Sequence, residues 1–493
     1  MSTFLIGLII LFVGGTLYGK LCEIVMKPDK RVTPAHTKGD GVDFVPMKKW
    51  KNSLINLLNI AGTGPVLGPI QGILFGPIAF ILIPIGCVLG GAVHDYFSGM
   101  LSLRNDGDQM PALMKKYTNK TVYNLYMVFV SLLLLLVGTV FIYTPGDIAA
   151  TQVFGFSGSA TAVSTWVIYG IIFAYYVVAT LYPIDKIIGR VYPIFGGILL
   201  ISAVGLFIGL LTGGYTLDNV SAANWTGIHP VTGTNLIPVF FITVACGIVS
   251  GFHSTQTSII SHSMATESEG RMTFYNMMIV EGFIAMIWAA VAMAAMNKGI
   301  ADASTPATAM VGIVSRDMLG SVGGILAIMG VIVLPITSGD TALRGLRLSI
   351  AGYLKIDQQS KKNRLLVSLP IFLFVALILI WAKASPSGFT MLWRYFAWSN
   401  QTLAVFAFAL ISIYLIGKGK PIAALMSLLP GVWYAFITSS YICNAKIGFN
   451  LHTDISNVLG LVFSIVYAIV VYSHGNKVKD SKMPLEANPV YSE

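Results

Sequence analysis

The sequence predicts an all-α protein that crosses a membrane many times, and three observations lead to this fold class. Of its 493 residues, 55% are hydrophobic and 11% are charged, and the mean hydropathy is +0.76. Soluble domains carry about 25% charged residues, so this chain lacks the charge to cover a soluble surface. Many apolar runs are long enough to cross about 30 Å of hydrocarbon. We therefore predict a polytopic membrane protein.

Hydropathy places thirteen helices along the chain, flanked by Gly, Pro, Asn or charged residues. Their approximate ranges are 4–20, 53–76, 77–103, 121–144, 161–182, 193–213, 236–262, 274–297, 323–350, 364–383, 393–416, 421–443 and 456–474. They define an extra N-terminal transmembrane helix (1–20), a cytoplasmic loop (21–52), a ten-helix core (53–416), two C-terminal transmembrane helices (417–474) and a tail (475–493). The first helix lacks a basic leader and is expected to be retained. The polar cytoplasmic tail is expected to be disordered.

The distribution of Lys and Arg predicts which ends of the helices face the cytoplasm. With the N-terminus outside, the cytoplasmic segments hold 26 of the 31 Lys and Arg residues. Those segments are 20–52, 104–120, 183–192, 263–273, 344–364, 417–420 and the tail. The outer connections hold only Lys298, Arg316, Lys383, Arg394 and Lys446. Positive residues accumulate on cytoplasmic loops, so we predict an N-out, C-in orientation and no nucleic-acid surface.

A run of Gly and Pro interrupts the second predicted helix near its centre, in "NIAGTGPVLGPIQG" at 59–72. Inside a helix, Gly costs about 1 kcal/mol and Pro about 3 kcal/mol. In lipid, freed backbone groups persist only where they line an enclosed or watery cavity. The run therefore predicts an unwound segment whose N–H groups can hold an anion and whose carbonyls can hold a cation. The alternative is a packing kink, since Gly and Pro are common in membrane helices.

A polar cluster interrupts the helix at 236–262 in the same way. Its mid-span residues are Gly247, Ser250, Gly251, His253, Ser254, Thr255, Gln256 and Thr257. Counted without the first helix, the two interrupted helices are first and sixth in a series of ten, and they run in opposite directions. This layout predicts an inverted five-plus-five repeat in which the first helix of each half is discontinuous.

The eighth helix of that series places hydroxyl and carboxylate oxygens inside the membrane, in "LPITSGDTALRGLR". The oxygen-bearing residues are Thr337, Ser338, Asp340 and Thr341. Hard cations prefer oxygen ligands, so Thr337 and Ser338, with carbonyls near Ala61, predict a possible Na⁺ site. Two alternatives remain open for Asp340. It can carry a proton, or it can simply pair with Arg344, four residues further on.

Four further ionisable or amide side chains lie in predicted helices. His94 and Asp95 are expected near the cytoplasmic end of their helix, as a gate or proton relay or else as an interfacial hydrogen-bonded pair. Glu281 is also expected near the cytoplasmic end of its helix. Asn400 can contact substrate or tie helices together. The four cysteines form no CxxC pair and predict neither a disulfide framework nor a metal site.

Several motifs together resemble the carbon starvation protein A (CstA) family. They are "TPAHTKGDGVDFVP" (33–46), "IAGTGPVLGPIQG" (60–72), "LGGAVHDYFSGMLSLRNDG" (89–107), "SGFHS" (250–254), "TSGDTALRGLR" (337–347) and "FAWSNQTLA" (396–404). The resemblance implies an inner-membrane transporter of small carbon and nitrogen sources, with members linked to peptide uptake and to proton-coupled pyruvate uptake. It also implies the LeuT-like fold of the amino acid–polyamine–organocation superfamily. Enteric members carry a His pair before "IAG", where this chain has Asn56 and Asn59, so the coupling ion stays open between Na⁺ and H⁺.

In a LeuT-like fold the unwound parts of helices one and six bind substrate, and helices one and eight often form a Na⁺ site. The candidate substrate residues are therefore Gly62, Thr63, Gly64, Pro65, Ser250, Gly251, Phe252, His253, Ser254, Gln256 and Asn400. The candidate cation or proton residues are Ala61, Thr337, Ser338, Asp340 and Thr341, and those for Na⁺ itself are Ala61, Thr337 and Ser338.

The leading hypothesis is a transporter of the bacterial inner membrane, coupled to H⁺ or Na⁺, that takes up a small carboxylate nutrient during carbon starvation. Pyruvate, an amino acid or a short peptide would fit. A passive channel is less favoured, because both interrupted helices aim at one site and no ring of repeated charges is present. A membrane enzyme or nutrient sensor is the third class, but "GTGPVLGP" lacks the Lys-Ser/Thr of a phosphate loop. We expect no enzymatic activity and no cofactor beyond a possible Na⁺. The expected partners are the small-molecule substrate and the lipid bilayer.

Overall fold

The computed structural model describes residues 1–39, 44–181, 185–227, 229–231, 234–358, 360–481 and 483–487. Within these ranges the chain is helical and forms no strand, apart from one isolated bridge between Met47 and Met264. Besides a single helical turn at Pro34–Thr37, the helices, in chain order, are α1 (Ser2–Met26), α2 (Lys49–Ile60), α3 (Gly64–Phe75), α4 (Ala79–Leu103), α5 (Met110–Tyr117), α6 (Lys120–Val153), α7 (Val163–Leu181), α8 (Asp185–Thr212), α9 (Leu236–Thr243), α10 (Ala245–Ile248), α11 (Gly251–Ile260), α12 (Glu267–Lys298), α13 (Ala307–Leu354), α14 (Lys361–Ala384), α15 (Gly388–Gly417), α16 (Pro421–Asn444) and α17 (Thr453–Asp480).

The predicted polytopic, all-helical class is confirmed. Within the described ranges, eleven helices are long and apolar enough to cross a membrane, and the bent pair α2 and α3 can be counted as a twelfth span. The sequence predicts thirteen. The remaining predicted span, 236–262, is divided into α9, α10 and α11, which have 8, 4 and 10 residues and are each too short to cross alone.

Contacts among the connecting segments gather at two opposite ends of the bundle. One end, which we call the basic face, is defined by Arg31, Arg104 and Lys418, which converge on Glu486. At the other end, which we call the opposite face, the N-terminal amino group donates to the carbonyl of Leu217 at 2.8 Å. Helix α1 joins the two ends, and its 25 residues span about 37 Å at 1.5 Å per residue.

The C-terminal segment is more ordered than the sequence predicts. Helix α17 continues to Asp480, six residues into the tail that was expected to be disordered from residue 475. Beyond it, residues 483–487 lie against the basic face, where the Tyr117 hydroxyl donates to the carbonyl of Leu485. The N–H of Ala487 donates to the carbonyl of Arg104 at 3.0 Å. Long-range polar contacts, which composition cannot reveal, hold this segment in place.

Glu486 is the centre of that contact. Its carboxylate lies 3.1 Å from Arg31, 3.3 Å from Arg104 and 2.8 Å from Lys418. Its side chain is only 9% exposed. Because these cations follow α1, α4 and α15, the C-terminal segment links three helix ends at the basic face.

The two interrupted helices pack together through small residues. Gly64, Gly68 and Gly72 recur every fourth residue on α3 and therefore share one face of the helix. A Cβ atom at Gly64 would lie 2.2 Å from Cβ of Cys246, and one at Gly72 would lie 2.2 Å from a methyl of Val244. Only glycine permits this approach, as at other close crossings of membrane helices. These glycines lower the stability of α3 as a helix, but they allow it to pack directly against α10.

Candidate functional site

The first interruption separates α2 from α3, which are bent by 50° across residues 61–63. Pro65 has no N–H, so the carbonyl of Ala61 has no donor four residues ahead. The N–H of Gly62 turns back to the carbonyl of Ile60 at 2.9 Å. The predicted unwound segment is therefore present, and the carbonyl oxygen of Ala61 takes no part in the hydrogen bonds of the helix.

The second interruption separates α10 from α11, where Val249 and Ser250 have extended backbone. Asn400 of α15 closes the start of α11: its Oδ1 accepts from the N–H of Phe252 at 2.9 Å and from the Ser250 hydroxyl at 3.1 Å. The N–H of His253 donates to the carbonyl of Ser250 at 3.1 Å. The N–H groups of Phe252 and His253, at the second interruption, thus already have acceptors. Asn400 ties α15 to α11, which is the structural alternative considered for it.

Four buried side chains, which we call the ionisable cluster, meet beside these interruptions. Nδ1 of His94 lies 2.8 Å from one oxygen of Asp95, and Nδ1 of His253 lies 3.0 Å from the other. Nε2 of His253 lies 3.6 Å from Oε2 of Glu281. All four side chains are fully buried. The cluster joins α4, α11 and α12 through groups that can each gain or lose a proton.

The hydrogen bonding of the ionisable cluster is incomplete. Nε2 of His94, Nε2 of His253 and both carboxylate oxygens of Glu281 are buried without a hydrogen-bond partner. Buried polar groups normally have partners, so orphaned atoms of this kind call for a specific explanation. A proton shared along His253 and Glu281, or a polar ligand between them, would satisfy these atoms.

The ionisable cluster is adjacent to the first interruption as well as the second. His253 lies in the first turn of α11, directly after Ser250 and Gly251. Helix α11 also packs against α2, the helix that ends at the first interruption. The helix that carries His253 therefore contacts the elements on both sides of the site.

The predicted cation residues of α13 are only partly brought to the first interruption. The Ser338 hydroxyl donates to the carbonyl of Leu58, on α2, at 3.2 Å. The Thr337 hydroxyl donates instead to Leu334 of its own helix at 2.8 Å. The two hydroxyls therefore point to different partners, as expected for consecutive residues about 100° apart on a helix.

Asp340 and Thr341 each contact a residue of their own helix. The Asp340 carboxylate is 1% exposed and lies 3.9 Å from the guanidinium of Arg344, so the predicted pairing is present. The Thr341 hydroxyl donates to the carbonyl of Ser338 at 2.9 Å. Among the described residues, no group of three or more His, Cys, Asp or Glu side chains is arranged to hold a metal ion.

The remaining predicted substrate residues include two unsatisfied polar atoms. Oγ1 of Thr63 and Oε1 of Gln256 are buried without a partner. The Ser254 hydroxyl, in contrast, donates to the carbonyl of Gly251 at 2.7 Å. Thr63 lies within the first interruption and is the better placed of these groups to meet a ligand.

Aromatic side chains close the space between the interruptions and the opposite face. The ring of Phe141 lies 6.4 Å from that of Phe252 and 6.5 Å from that of Phe396. The ring of Phe396 lies 5.4 Å from that of Trp393. All four are at most 4% exposed. We call them the aromatic column, and in this conformation it covers the site. A Cβ at Gly62 would lie 2.7 Å from the Phe141 ring, so the first interruption contacts the column directly.

Sequence reasoning did not predict that Glu281 lies beside His253. It was expected near the cytoplasmic end of its helix, but it is fully buried against His253. The signal was available, because Glu281 is the single acidic residue in the apolar stretch 277–297, and such residues are functional candidates by default. His94 and Asp95 are likewise fully buried, and they form a hydrogen-bonded pair at 2.8 Å.

Many membrane spans surrounding two interrupted helices and buried ionisable groups are typical of membrane transporters. The chain matches the family of carbon starvation protein CstA over residues 1–176, 142–317 and 301–441. It therefore belongs to the CstA family, as its motifs suggested, and is a multi-pass transporter of the bacterial inner membrane.

Curated relatives agree with this assignment. An uncharacterized membrane protein of Haemophilus influenzae is 42% identical over 331 residues, covering 58% of this chain and 88% of the relative. A peptide transporter CstA of Helicobacter pylori is 28% identical over 330 residues, covering 54% of this chain and 46% of the relative. The pyruvate/proton symporter BtsT of Escherichia coli is 25% identical over 349 residues, covering 59% and 48%. The match spans about half the length of the two relatives with named transport functions.

A solved structure shares the fold. The Eremococcus coleocola manganese transporter, in complex with an aromatic bis-isothiourea substituted compound, aligns with a TM-score of 0.60. The alignment covers 87% of this chain and 93% of that one at 11% identity. At this identity the likeness concerns the fold alone.

Proposed function

We propose that this chain is a proton-coupled secondary transporter that takes up a small carboxylate nutrient, such as pyruvate, an amino acid or a short peptide. The observation that carries the proposal is the ionisable cluster, in which His253 of α11 meets Asp95 and Glu281. Peptide transport and pyruvate/proton symport in the relatives support the same substrate class.

The proposal also includes an orientation in the membrane and an internal repeat of the helices. The basic face is cytoplasmic, so the protein is N-out and C-in, and residues 53–416 form a LeuT-like core of five plus five helices. The convergence of Arg31, Arg104 and Lys418 at one end supports the orientation, since positive residues accumulate on the cytoplasmic side. The interruptions at 61–63 and 249–250 support the repeat, because each lies in the first span of its half.

The ionisable cluster offers a physical route for coupling. Buried charges are costly unless they are paired, so one added proton changes how strongly the groups of the cluster attract one another. Because His253 contacts Asp95 on α4 and Glu281 on α12, that change alters how tightly α11 is held. A substrate carboxylate beside Thr63 would bring one negative charge next to the protonated cluster. Substrate and proton would then favour the same conformation, which is the requirement for symport.

Uptake of radiolabelled pyruvate and alanylalanine into proteoliposomes tests the proposal. With an alkaline interior, we expect accumulation above the external concentration. Entry only to equilibrium would indicate a passive channel, and no entry of either compound would favour a sensor. His253→Gln should abolish the pH-driven accumulation. The matched control is His452→Gln, because the His452 side chain is 73% exposed and lies far from the cluster along the chain.

Na⁺ coupling is the second candidate, and the contact between Ser338 and the carbonyl of Leu58 favours it. A Na⁺ ion at this junction would take oxygen ligands from α13 and α2, including the carbonyl of Ala61. Thr337 would have to rotate away from Leu334 to contribute. Uptake measured with Na⁺ replaced by choline, at fixed pH, distinguishes the two candidates.

A further inference from the structure

A cavity of about 690 Å³ lies at the opposite face. It is lined by the ends of α3, α6, α9 and α14 and by the first turns of α13 and α15. Trp393, the first residue of the aromatic column, is part of its wall. Since that column leads through Phe396 and Phe141 to Phe252, the cavity and the two interruptions lie on one path. We call this cavity the vestibule.

Two of the charged groups that line the vestibule neutralise each other. Nζ of Lys383 lies 2.8 Å from Oδ1 of Asp147. The ammonium also lies over the rings of Tyr143 and Tyr169, at 5.0 Å and 5.6 Å from their centroids. The other oxygen of Asp147 accepts from Thr308 at 3.3 Å. Both members of the pair therefore have further contacts, and together they contribute little net charge to the vestibule.

His229 also lines the vestibule, but it contributes little charge at neutral pH. Its ring packs on Phe75 at 4.7 Å between centroids, and its Nδ1 accepts from the N–H of Val231 at 3.1 Å. Burial, assisted by the nearby positive charge of Arg394, lowers the pKa of His229 below its usual value. The imidazole is therefore mainly neutral above about pH 6.5.

Arg394 is the remaining charge in the vestibule. Within the described part of the chain, its guanidinium makes no hydrogen bond or ion pair, and the residue is exposed. The vestibule thus carries a net charge of about +1 at pH 7, which this guanidinium contributes. Only five Lys and Arg residues occupy the predicted outer connections, and Lys383 and Arg394 both line this one cavity.

We propose that the vestibule is an entry site for small carboxylate anions and that Arg394 binds the substrate's carboxylate there before it passes the aromatic column. The inference rests on the proposed function, because it assigns the first contact of the same substrate. A guanidinium can bind a carboxylate through two parallel hydrogen bonds. A cleft with one sign of charge also raises the local concentration of the opposite ion and its rate of entry. The vestibule would therefore favour anions over cations of equal size.

Charge-selective thiol labelling tests the vestibule without measuring transport. Thr390 is exposed, lines the vestibule and lies one turn before Arg394 on α15, so Thr390→Cys reports the local potential. Cys443→Ser removes the one native thiol that is not buried. The measurement is the ratio of labelling rates with an anionic sulfonatoethyl and a cationic trimethylammonioethyl methanethiosulfonate. Arg394→Gln should lower this ratio about three- to tenfold, since it removes a unit charge a few ångströms away.

The controls separate this inference from the proposed function. Lys446→Gln removes another cation of the outer connections that does not line the vestibule, and it should leave the labelling ratio unchanged. In transport, Arg394→Gln should raise KM for pyruvate or alanylalanine at least about fivefold with little change in maximal rate. Arg394→Lys should have a KM between those of the wild type and Arg394→Gln. Such a value would also show that the site tolerates substitution.

The possible outcomes are distinct. If the wild-type protein transports neither compound, the proposed function fails, and the labelling ratio still decides whether the vestibule selects anions. If it transports them and Arg394→Gln has the wild-type KM, the entry site is overturned. An unchanged labelling ratio in a folded Arg394→Gln variant, checked by size-exclusion chromatography, overturns it equally.

Discussion

His253 and Asp95 are 158 residues apart in sequence, and their side chains lie 3.0 Å apart in the interior of the protein. One belongs to an interrupted helix and the other to a continuous one. In the proposed function, a proton gained or lost at this link would change how strongly α11 is held against α4. The contact with Glu281 extends the link to α12.

We predict that Asp95→Asn and Glu281→Gln each abolish pH-driven accumulation but retain exchange of labelled for unlabelled substrate. Removing one carboxylate prevents the proton from being held and released, whereas the substrate path is unchanged. The measurement is accumulation and exchange by each variant between pH 5.5 and 8. Glu269→Gln is the control, because Glu269 is a carboxylate outside the ionisable cluster. If both variants accumulate substrate as the wild type does, the cluster does not carry the proton.

Gly64→Ala is predicted to destabilise the protein by about 1–3 kcal/mol and to reduce uptake strongly, the range typical of overpacked cores. The new methyl group would lie 2.2 Å from Cβ of Cys246, so α3 and α10 would have to separate. Gly170→Ala is the matched control, since a Cβ at Gly170 meets nothing within 4 Å. The readout is the thermal unfolding midpoint in detergent, together with uptake. Adding Cys246→Gly should restore part of the unfolding midpoint and part of the uptake. If it restores neither, the effect of Gly64→Ala does not come from the α3–α10 contact.

The interruptions could be predicted from the sequence because their causes are local. Pro65 removes a backbone donor wherever the helix lies, and the polar run around Ser250 is unfavourable in any lipid-facing helix. The partners of those residues could not be predicted. Asp95, His253 and Glu281 come from three helices, so their meeting depends on packing that no local pattern encodes.

The same limit applies to two other sites. Thr337 and Ser338 are chemically similar, and only the position of α2 decides which of them faces it. The docked C-terminal segment depends on cations from three distant loops. Composition alone therefore predicted a disordered tail.

Uptake is predicted to be independent of external Na⁺ at fixed pH and to collapse when the pH gradient is removed. The reason is that the ionisable cluster supplies titratable groups beside the interruptions, whereas the Thr337 hydroxyl of the predicted cation pair donates within its own helix. The test is initial uptake with Na⁺ replaced by choline, for the wild type, Ser338→Ala and Thr337→Val. A rate that rises with Na⁺ and is lost in Ser338→Ala, but persists without a pH gradient, would replace proton coupling by Na⁺ coupling.

The contact between Glu486 and the basic face should make the folded protein less stable as the pH falls. Burial raises the pKa of the Glu486 carboxyl, but hydrogen bonds from Lys418 and Tyr414 and the charge of Arg104 outweigh it and lower the pKa to about 2. In the unfolded chain the value is about 4.3. Because the folded-state pKa is depressed, the stabilisation is fully present above about pH 4.5 and is lost as the pH falls toward 2.

We therefore predict that Glu486→Gln lowers the thermal unfolding midpoint at pH 7 by several degrees and that the difference from the wild type shrinks as the pH falls from 5 to 3. The variant leaves Lys418 without its carboxylate partner, whereas Arg31 and Arg104 keep their ion pairs with Glu267, and removing one partner from such a group is costly. Glu23→Gln is the control, since Glu23 pairs with Arg271 at 3.2 Å where both side chains are 32% exposed, and exposed pairs contribute little. Hydrogen exchange of residues 483–487 should increase in Glu486→Gln alone. Equal exchange and equal midpoints for Glu486→Gln and the wild type at pH 7 would mean that the C-terminal segment is not held by this carboxylate.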